Sequence, residues 1–363
     1  MKILFNNTIF FNQRFGGISR YFVNLGKSLE SIKLDYRVIS PIYKNLYLKE
    51  LKKKNIKRKF LKRYPSSIFI ESLNNFLENL YIVKTNPDIV HDTYYSKNLY
   101  KNSSFKKVIT VHDLIYENFS NYFSYKIKEK LKDKKLAVEN SDFIICVSNT
   151  TKKQLLDIYN IDEKKVKVIY HGADHLDDIV LDNINLKIEK DFILFVGARS
   201  KYKNFSFLLE AYSRLGKIKN DLNLICFGGG DFTKEENENI RKLNIKESVK
   251  IFPHNNDASL KYLYKNAKAL VIPSETEGFG LPILEGMRNK CNIIASDIEI
   301  FKEIGKDKIH YFENGNIDSL ISELEKKIYS DNKNLIIEAL EYSKNFTWLS
   351  CAKKTFEIYS EMK

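Results

Sequence analysis

Cysteine is scarce: four occur in 363 residues, and Cys146, Cys226, Cys291 and Cys351 lie far apart with no Cys-x-x-Cys spacing. That leaves neither a disulfide framework nor a thiolate zinc motif, and reduced, buried thiols are the expectation. Long apolar runs are also missing. Residues 143–147 and 192–196 are strand-length, far short of the roughly 20 that span a bilayer. Met1-Lys2-Ile3-Leu4-Phe5 begins like a signal peptide, but Asn6, Asn7 and Thr8 break the run and no small-residue cleavage site follows. A cytoplasmic location is the expectation. No Asp-x-Asp occurs, nor a Ser-His-Asp arrangement, a nucleic-acid-binding pattern or a short-period repeat, and the Gly16-Gly17 turn lacks the Gly-Lys-Ser/Thr of a P-loop. Neither bound metal nor nucleic acid is therefore expected, and an anionic ligand would have to meet cationic side chains and helix dipoles.

Acid is in deficit: 60 Lys and Arg stand against 46 Asp and Glu, a formal charge of +14. Much of the excess lies in residues 44–63, where Lys52, Lys53, Lys54, Lys57, Arg58, Lys59, Lys62 and Arg63 face almost no carboxylate. Two readings stay open. One is a solvated surface helix or loop; the other is a patch for anionic membrane lipid, because Tyr43, Tyr47, Phe60 and Tyr64 interleave amphipathic rings with the cations.

Apolar strand candidates alternate with amphipathic helix candidates from end to end, the pattern of parallel sheets covered on both faces. Residues 1–5, 36–40, 88–91, 107–111, 143–147 and 166–169 read as strands, with helices at 17–29, 68–80, 125–139 and 150–159. After Gly172 the pattern loosens through Asp174, Asp177, Asp178, Asp182 and Asn183. A second series puts strands at 192–197, 222–227, 249–252, 269–272, 292–295 and 309–312, and helices at 205–215, 234–243, 258–265, 282–288, 317–329 and 335–343. The prediction is an α/β chain with two doubly wound, Rossmann-like parallel-sheet domains, 1–173 and 191–346, joined by a linker at 174–190. Ligands of such sheets bind beyond the carboxyl ends of the strands, so an interdomain cleft is the expected site.

The segment Glu277-Gly278-Phe279-Gly280-Leu281-Pro282-Ile283-Leu284-Glu285 sets two carboxylates around a glycine turn that runs into a helix, with Pro282 predicted at its first position and Glu285 in its first turn. A helix start presents N–H groups and a positive dipole end to a phosphate. Carboxylates so close to it suit a ligand both anionic and hydroxyl-rich, as a nucleotide sugar is. Gly16-Gly17 opens a helix after the first strand and offers a second approach for phosphate. Arg199 and Lys203 follow strand 192–197 and suit a diphosphate, or are plain surface cations. His112 ends strand 107–111, where it could bond a sugar hydroxyl, with Asp113 fixing its tautomer or capping the next segment; a structural histidine is the alternative. His91, His171, His175, His254 and His310 carry less signal. The turn at Gly228 and the backbone near Phe252 either meet a nucleotide base or simply end strands.

In order along nearly the whole chain, Gly16-Gly17-Ile18-Ser19-Arg20-Tyr21, Thr110-Val111-His112-Asp113, Val147-Ser148-Asn149-Thr150-Thr151, Gly197-Ala198-Arg199 with Lys203-Asn204, Pro273-Ser274, the Glu-x7-Glu segment and Phe346-Thr347-Trp348 resemble the retaining glycosyltransferases of family 4, polysaccharide, O-antigen or capsule assembly type, which share the GT-B architecture. The resemblance implies that Arg199, Lys203 and the Gly17 N–H hold a donor diphosphate, with Gly16, Phe279, Gly280, Leu281, Gly228 and Phe252 also on the donor side. It implies Glu277 on the transferred sugar, Glu285 on the ribose, His112 at the reaction centre, no cofactor beyond the nucleotide-sugar substrate, and a final helix, 347–363, crossing back to the N-terminal acceptor domain. Tyr170-His171-Gly172 departs from the usual Pro-Asn-Gly, and Arg199 follows Ala198 instead of the glycine itself. The expected reaction moves a hexose, mannose from a guanosine donor by the look of the subgroup, to a glycan or lipid-linked glycan, with anionic membrane as a partner through 44–63 and peripheral attachment at the inner membrane face. A nucleotide-sugar epimerase or phosphorylase on the same fold, or a catalytically silent glycan- or membrane-binding protein, are the alternatives.

Overall fold

The computed structural model describes residues 1–60, 68–95, 104–123, 127–181, 188, 190–252 and 256–362. The sequence readings of Lys62, Arg63, Tyr64, Pro253 and His254, and of linker residues 182–187 and 189, lie outside them. Two compact units divide the chain: Met1–Gly172 with Thr347–Lys363, and Ala173–Phe346.

The first unit is built on a seven-stranded sheet, β1 (Ile3–Phe5), β2 (Tyr36–Tyr43), β3 (Ile56–Phe60), β4 (Ile89–Asp92), β5 (Lys106–Val111), β6 (Phe143–Cys146) and β7 (Val166–Val168), in the order β3-β2-β1-β4-β5-β6-β7. Every pairing is parallel. Near-continuous burial along β1, β4 and β5 follows, because a parallel sheet carries crossover helices on both faces. Phe5, Tyr21, Phe22, Leu25 and Tyr36 form the core with Trp348, Ile358 and Tyr359 of the Trp348–Glu361 helix. β3 corrects the reading of 44–63 as a surface helix or loop: Ile56-Lys57-Arg58-Lys59-Phe60 is an edge strand paired with β2. Charge on such a strand discourages further edge-to-edge pairing.

The second unit carries β8 (Asp191–Val196), β9 (Leu222–Phe227), β10 (Val249–Ile251), β11 (Ala269–Ile272), β12 (Ile293–Ser296) and β13 (His310–Phe312), in the order β10-β9-β8-β11-β12-β13. Its pairings are also all parallel. Phe195, Phe205, Leu208, Leu209, Tyr212 and Leu224 lie in its core. No disulfide joins the four cysteines, all of them buried, and burial pushes the thiols of Cys146, Cys226 and Cys291 up to about 12. Among the described residues no helix is long and apolar enough to cross a membrane.

The Leu281–Arg288 helix differs in detail from its prediction: Pro282 is its second residue, and no acid stands in its first turn, so Glu285 lies one turn deeper. Gly280 caps it at φ 82°, where a Cβ would also meet the Phe301 ring at 3.0 Å. Only glycine suits that junction.

Gly172 has a different necessity. A Cβ there would lie 2.1 Å from the backbone nitrogen of Trp348, so two stretches of main chain pass too closely for any side chain. Gly172→Ala is expected to cost about 1–3 kcal/mol or more in urea denaturation, by forcing backbone apart. Gly17→Ala, whose Cβ would meet nothing within 4 Å, should stay within about 0.5 kcal/mol of the parent. Equal stabilities for the two variants would contradict the packing assigned to Gly172.

Candidate functional site

Both sheets reverse strand order in the middle, between β1 and β4 and between β8 and β11. At such a switch point the loops leaving the carboxyl ends diverge, and a ligand fits between them. In the second unit those loops supply Gly197 after β8 and Ser274 to Glu277 after β11. Lys203 ends the turn Lys201–Lys203 and pairs with Glu277, with side chains 15% and 13% exposed. The same Glu277 oxygen accepts from Ser274 Oγ at 3.0 Å. Ser274 is fixed in turn by its carbonyl, which accepts from Ser296 Oγ at 2.5 Å. A cation and a carboxylate are thus held together at the sheet's ligand end.

Arg199 has other partners than the diphosphate the sequence reading gave it. Its Nε donates to Glu236 at 2.9 Å, and its Nη atoms donate to the carbonyls of Gly228, Gly230 and Asp231 at 2.8–2.9 Å. The side chain is 3% exposed. Its structural job is to clamp the turn after β9, where Gly228, Gly229 and Gly230 all have positive φ. A Gly228 Cβ would lie 3.4 Å from the Gly197 carbonyl oxygen, so this turn packs on the loop that leads to Lys203. Glu236 was missed as a participant, though the sequence carries its signal: it closes a capping box with Thr233 that starts the Lys234–Lys242 helix.

Glu285 faces inward. It accepts from Tyr264 at 2.7 Å and stands 3.2 Å from His175 Nε2, and burial first, then this carboxylate, raises the Tyr264 hydroxyl well above its ordinary pKa. Phe252 is buried at the end of β10, its N–H bonded to the Cys226 carbonyl at 2.8 Å. The structure therefore brings Gly197, Arg199, Lys203, Gly228 and Glu277 together, and places Glu285 with His175 and Tyr264.

In the first unit His112 follows β5 and is buried, and its Nε2 has no hydrogen-bond partner among the described residues. Tyr21, one turn into the Gly17–Ser31 helix, packs edge-on against it at 5.0 Å, and His171 lies 5.7 Å away. The proposed phosphate contact at Gly17 and His112 are thus linked by one helix turn. Asp113 accepts from the Ile115 N–H at 3.2 Å, capping the next segment, while its carbonyl accepts from the buried Lys134 at 2.6 Å. His91 is hydrogen-bonded with Tyr359 at 2.6 Å and Thr110 at 2.8 Å. Burial first, then electrostatic coupling to His171, His91 and Lys134, holds the His112 pKa well below its ordinary value; burial takes His91 and His171 down to about 3. All three rings are neutral near pH 7. Sequence reasoning ranked His91 and His171 low, since nothing local signals that a histidine will meet another from a distant strand. A cavity of about 440 Å³ lies at this sheet's switch point, lined by Asn7, Thr8 and Phe11 after β1 and by Tyr94 and Tyr95 after β4. Among the described residues no group of three His, Cys, Asp or Glu side chains could hold a metal ion.

Residues 15–175 match the family described as Glycosyltransferase Family 4, and residues 179–345 match Glycosyl transferases group 1. The O-antigen chain mannosyltransferase RfbU of Salmonella typhimurium is 30% identical over 222 residues, a match taking in 60% of this chain and 59% of that protein's length. O-antigen chain mannosyltransferase B of Escherichia coli is 24% identical over 315 residues, 83% of this chain and 81% of its own. Among solved structures, Anabaena Alr3699/HepE in complex with UDP and glucose superposes with a TM-score of 0.75 at 16% identity, covering 99% of this chain and 100% of that one.

The buried histidines carry a pH signature. Folded, they bind fewer protons than they would unfolded, so they withdraw stability as pH falls below about 6.5, by up to about 1.4 kcal/mol per pH unit for each ring. Asp92, which burial pushes up to about 6, offsets part of that loss below pH 6. Imidazole resonances of His91, His112 and His171 should not titrate between pH 8 and pH 5, and a midpoint near 6.5 for any of them would contradict its assigned environment.

Proposed function

Because this chain belongs to the family 4 glycosyltransferases, of GT-B architecture, we propose that it moves a hexose from a nucleoside-diphosphate sugar to a hydroxyl of a glycan or lipid-linked glycan, with retention at the anomeric carbon. The observation that carries the reading is the Lys203–Glu277 pair at the second sheet's switch point, beside the positive end of the Leu281–Arg288 helix. The cation and the helix dipole suit a departing diphosphate, and the carboxylate suits sugar hydroxyls. The named O-antigen mannosyltransferases favour mannose, from a guanosine donor, and assembly of a cell-surface polysaccharide.

In this mechanism the acceptor oxygen attacks on the face from which the diphosphate leaves. The anomeric carbon–phosphate oxygen bond breaks, the new carbon–oxygen bond forms, and the acceptor's proton passes to a diphosphate oxygen. Lys203 stabilises the leaving charge directly, and Arg199 does so through the glycine turn it holds. Glu285, oriented by Tyr264 and His175, takes the ribose. His112 stays neutral and offers its unpartnered Nε2 to a sugar hydroxyl, while Gly17, where a Cβ would meet nothing within 4 Å, leaves room for phosphate at the start of the Gly17–Ser31 helix, beside the Gln13 amide that packs on Gly16 and accepts from the Ser19 N–H. We place the reaction at the cytoplasmic face of an anionic membrane, to which the positive charge of the 44–63 sequence would draw the protein.

Lys203→Ala is expected to lower turnover by about 10²–10³-fold with the fold intact, and Arg199→Ala to follow it. Near-normal rates in both would overturn the assignment. In a thermal-shift panel, guanosine diphosphate sugars should raise the melting temperature by mass action more than free sugars or nucleoside monophosphates do. No shift with any nucleoside diphosphate would count against the whole reading.

A further inference from the structure

The Ile68–Thr85 helix turns an apolar stripe outward. Its inward side packs Ile82 on Leu4, Ile39 and Val90 and is otherwise anchored by polar groups: Asn74 accepts from the N–H of Ile42 in β2 at 2.9 Å and donates to that residue's carbonyl at 2.8 Å, and the buried Glu78 accepts from the Asn7 N–H at 2.9 Å. The outward side carries Phe69, Leu73, Phe76, Leu77, Leu80 and Val83, with Phe69 76%, Phe76 59% and Val83 81% exposed. Their three- and four-residue spacing places them in one stripe along the helix. Single exposed apolar side chains are ordinary, but a continuous row of six marks a surface that something covers. The helix cannot turn the stripe inward without breaking the bonds of Asn74 and Glu78.

Charge identifies the occupant. On one side, β2, on which the helix packs, is paired with the edge strand bearing Lys57, Arg58 and Lys59, and Glu50 is the only acid between residues 44 and 60. On the other side stands the Ile127–Glu139 helix, which shares the wall of the switch-point cavity with Glu71, Ser72 and Asn75. It exposes Lys128, Lys130, Lys132 and Lys135 against Glu129 and Glu139, with Asp133 half-buried. A second copy docked on the stripe would bring two cationic borders together, whereas an anionic lipid surface would neutralise both. We propose that the Ile68–Thr85 helix lies in the headgroup boundary of an anionic membrane, apolar stripe inserted, with the flanking lysines on the lipid headgroups. The amino-terminal turn of this helix lines the cavity, so seating it brings a membrane-anchored acceptor to that cavity. Only this last consequence rests on the transferase reading.

The test floats the full-length protein with vesicles of phosphatidylethanolamine and phosphatidylglycerol, and with phosphatidylcholine vesicles, at low and high salt. A Phe69→Ser/Phe76→Ser double variant runs beside it. Both rings are exposed, so an unchanged melting temperature verifies its fold. The parent should float with the anionic vesicles, less so at high salt, and the double variant's bound fraction should fall about tenfold or more. Turnover on a water-soluble acceptor should be equal in the two proteins, which separates failure of the membrane seat from failure of the transferase reading. Equal flotation of parent and variant overturns the proposal, as does a parent that stays off anionic vesicles. A dimer in sedimentation that the double substitution dissociates, without flotation, would assign the stripe to a second copy instead.

Discussion

The pairing of Lys203 with Glu277 is the interaction on which the functional account turns. Holding two charges at about one-seventh exposure costs desolvation that the pair's own attraction only partly offsets. An apolar pair would tie the loops after β8 and β11 together at no such cost. What the ion pair adds is a cation and a carboxylate fixed at the one place in a doubly wound sheet where the backbone makes room for a ligand. Neither group is free to drift, because Ser274 holds the acid and the glycine turn clamped by Arg199 packs on the loop that leads to the base.

The first unit solves a different problem. Its ligand end is walled with rings, Tyr21, His91, His112 and His171, buried deeply enough that the histidines stay uncharged. A neutral imidazole can bond a sugar hydroxyl in either direction without imposing a charge. The packing behind it admits no slack, since the chain at Gly172 touches the backbone of Trp348, and Trp348 in turn stacks at 5.8 Å on His171.

Much of this was legible in the sequence, for reasons that are local. Parallel strands buried on both faces write themselves as short apolar runs, so each strand of the second unit stood out. Gly280 ahead of Leu281-Pro282 announced a helix start because only glycine takes that turn. What stayed hidden depended on distant partners. Ile56-Lys57-Arg58-Lys59-Phe60 looks like a solvated segment, and only its pairing with β2 makes it a strand. Arg199 reads as a phosphate cation until Glu236, 37 residues on, and the glycine carbonyls claim it. Periodicity located the Ile68–Thr85 helix but not its orientation. An apolar stripe ordinarily faces the core, and it takes the bonds of Asn74 to Ile42 and of Glu78 to Asn7, with the burial of Ile82, to show that here the opposite side does.

Sugar transfer with retention is read from the anomeric configuration of the product. A guanosine diphosphate hexose of known anomeric configuration would be incubated with the protein and membranes carrying lipid-linked glycan, and the anomeric signals followed by NMR. Retaining transfer predicts nucleoside diphosphate appearing in step with a new glycosidic anomeric signal of the donor's own configuration. A product of inverted configuration, or free sugar or an epimerised donor with no new glycosidic bond, would contradict it.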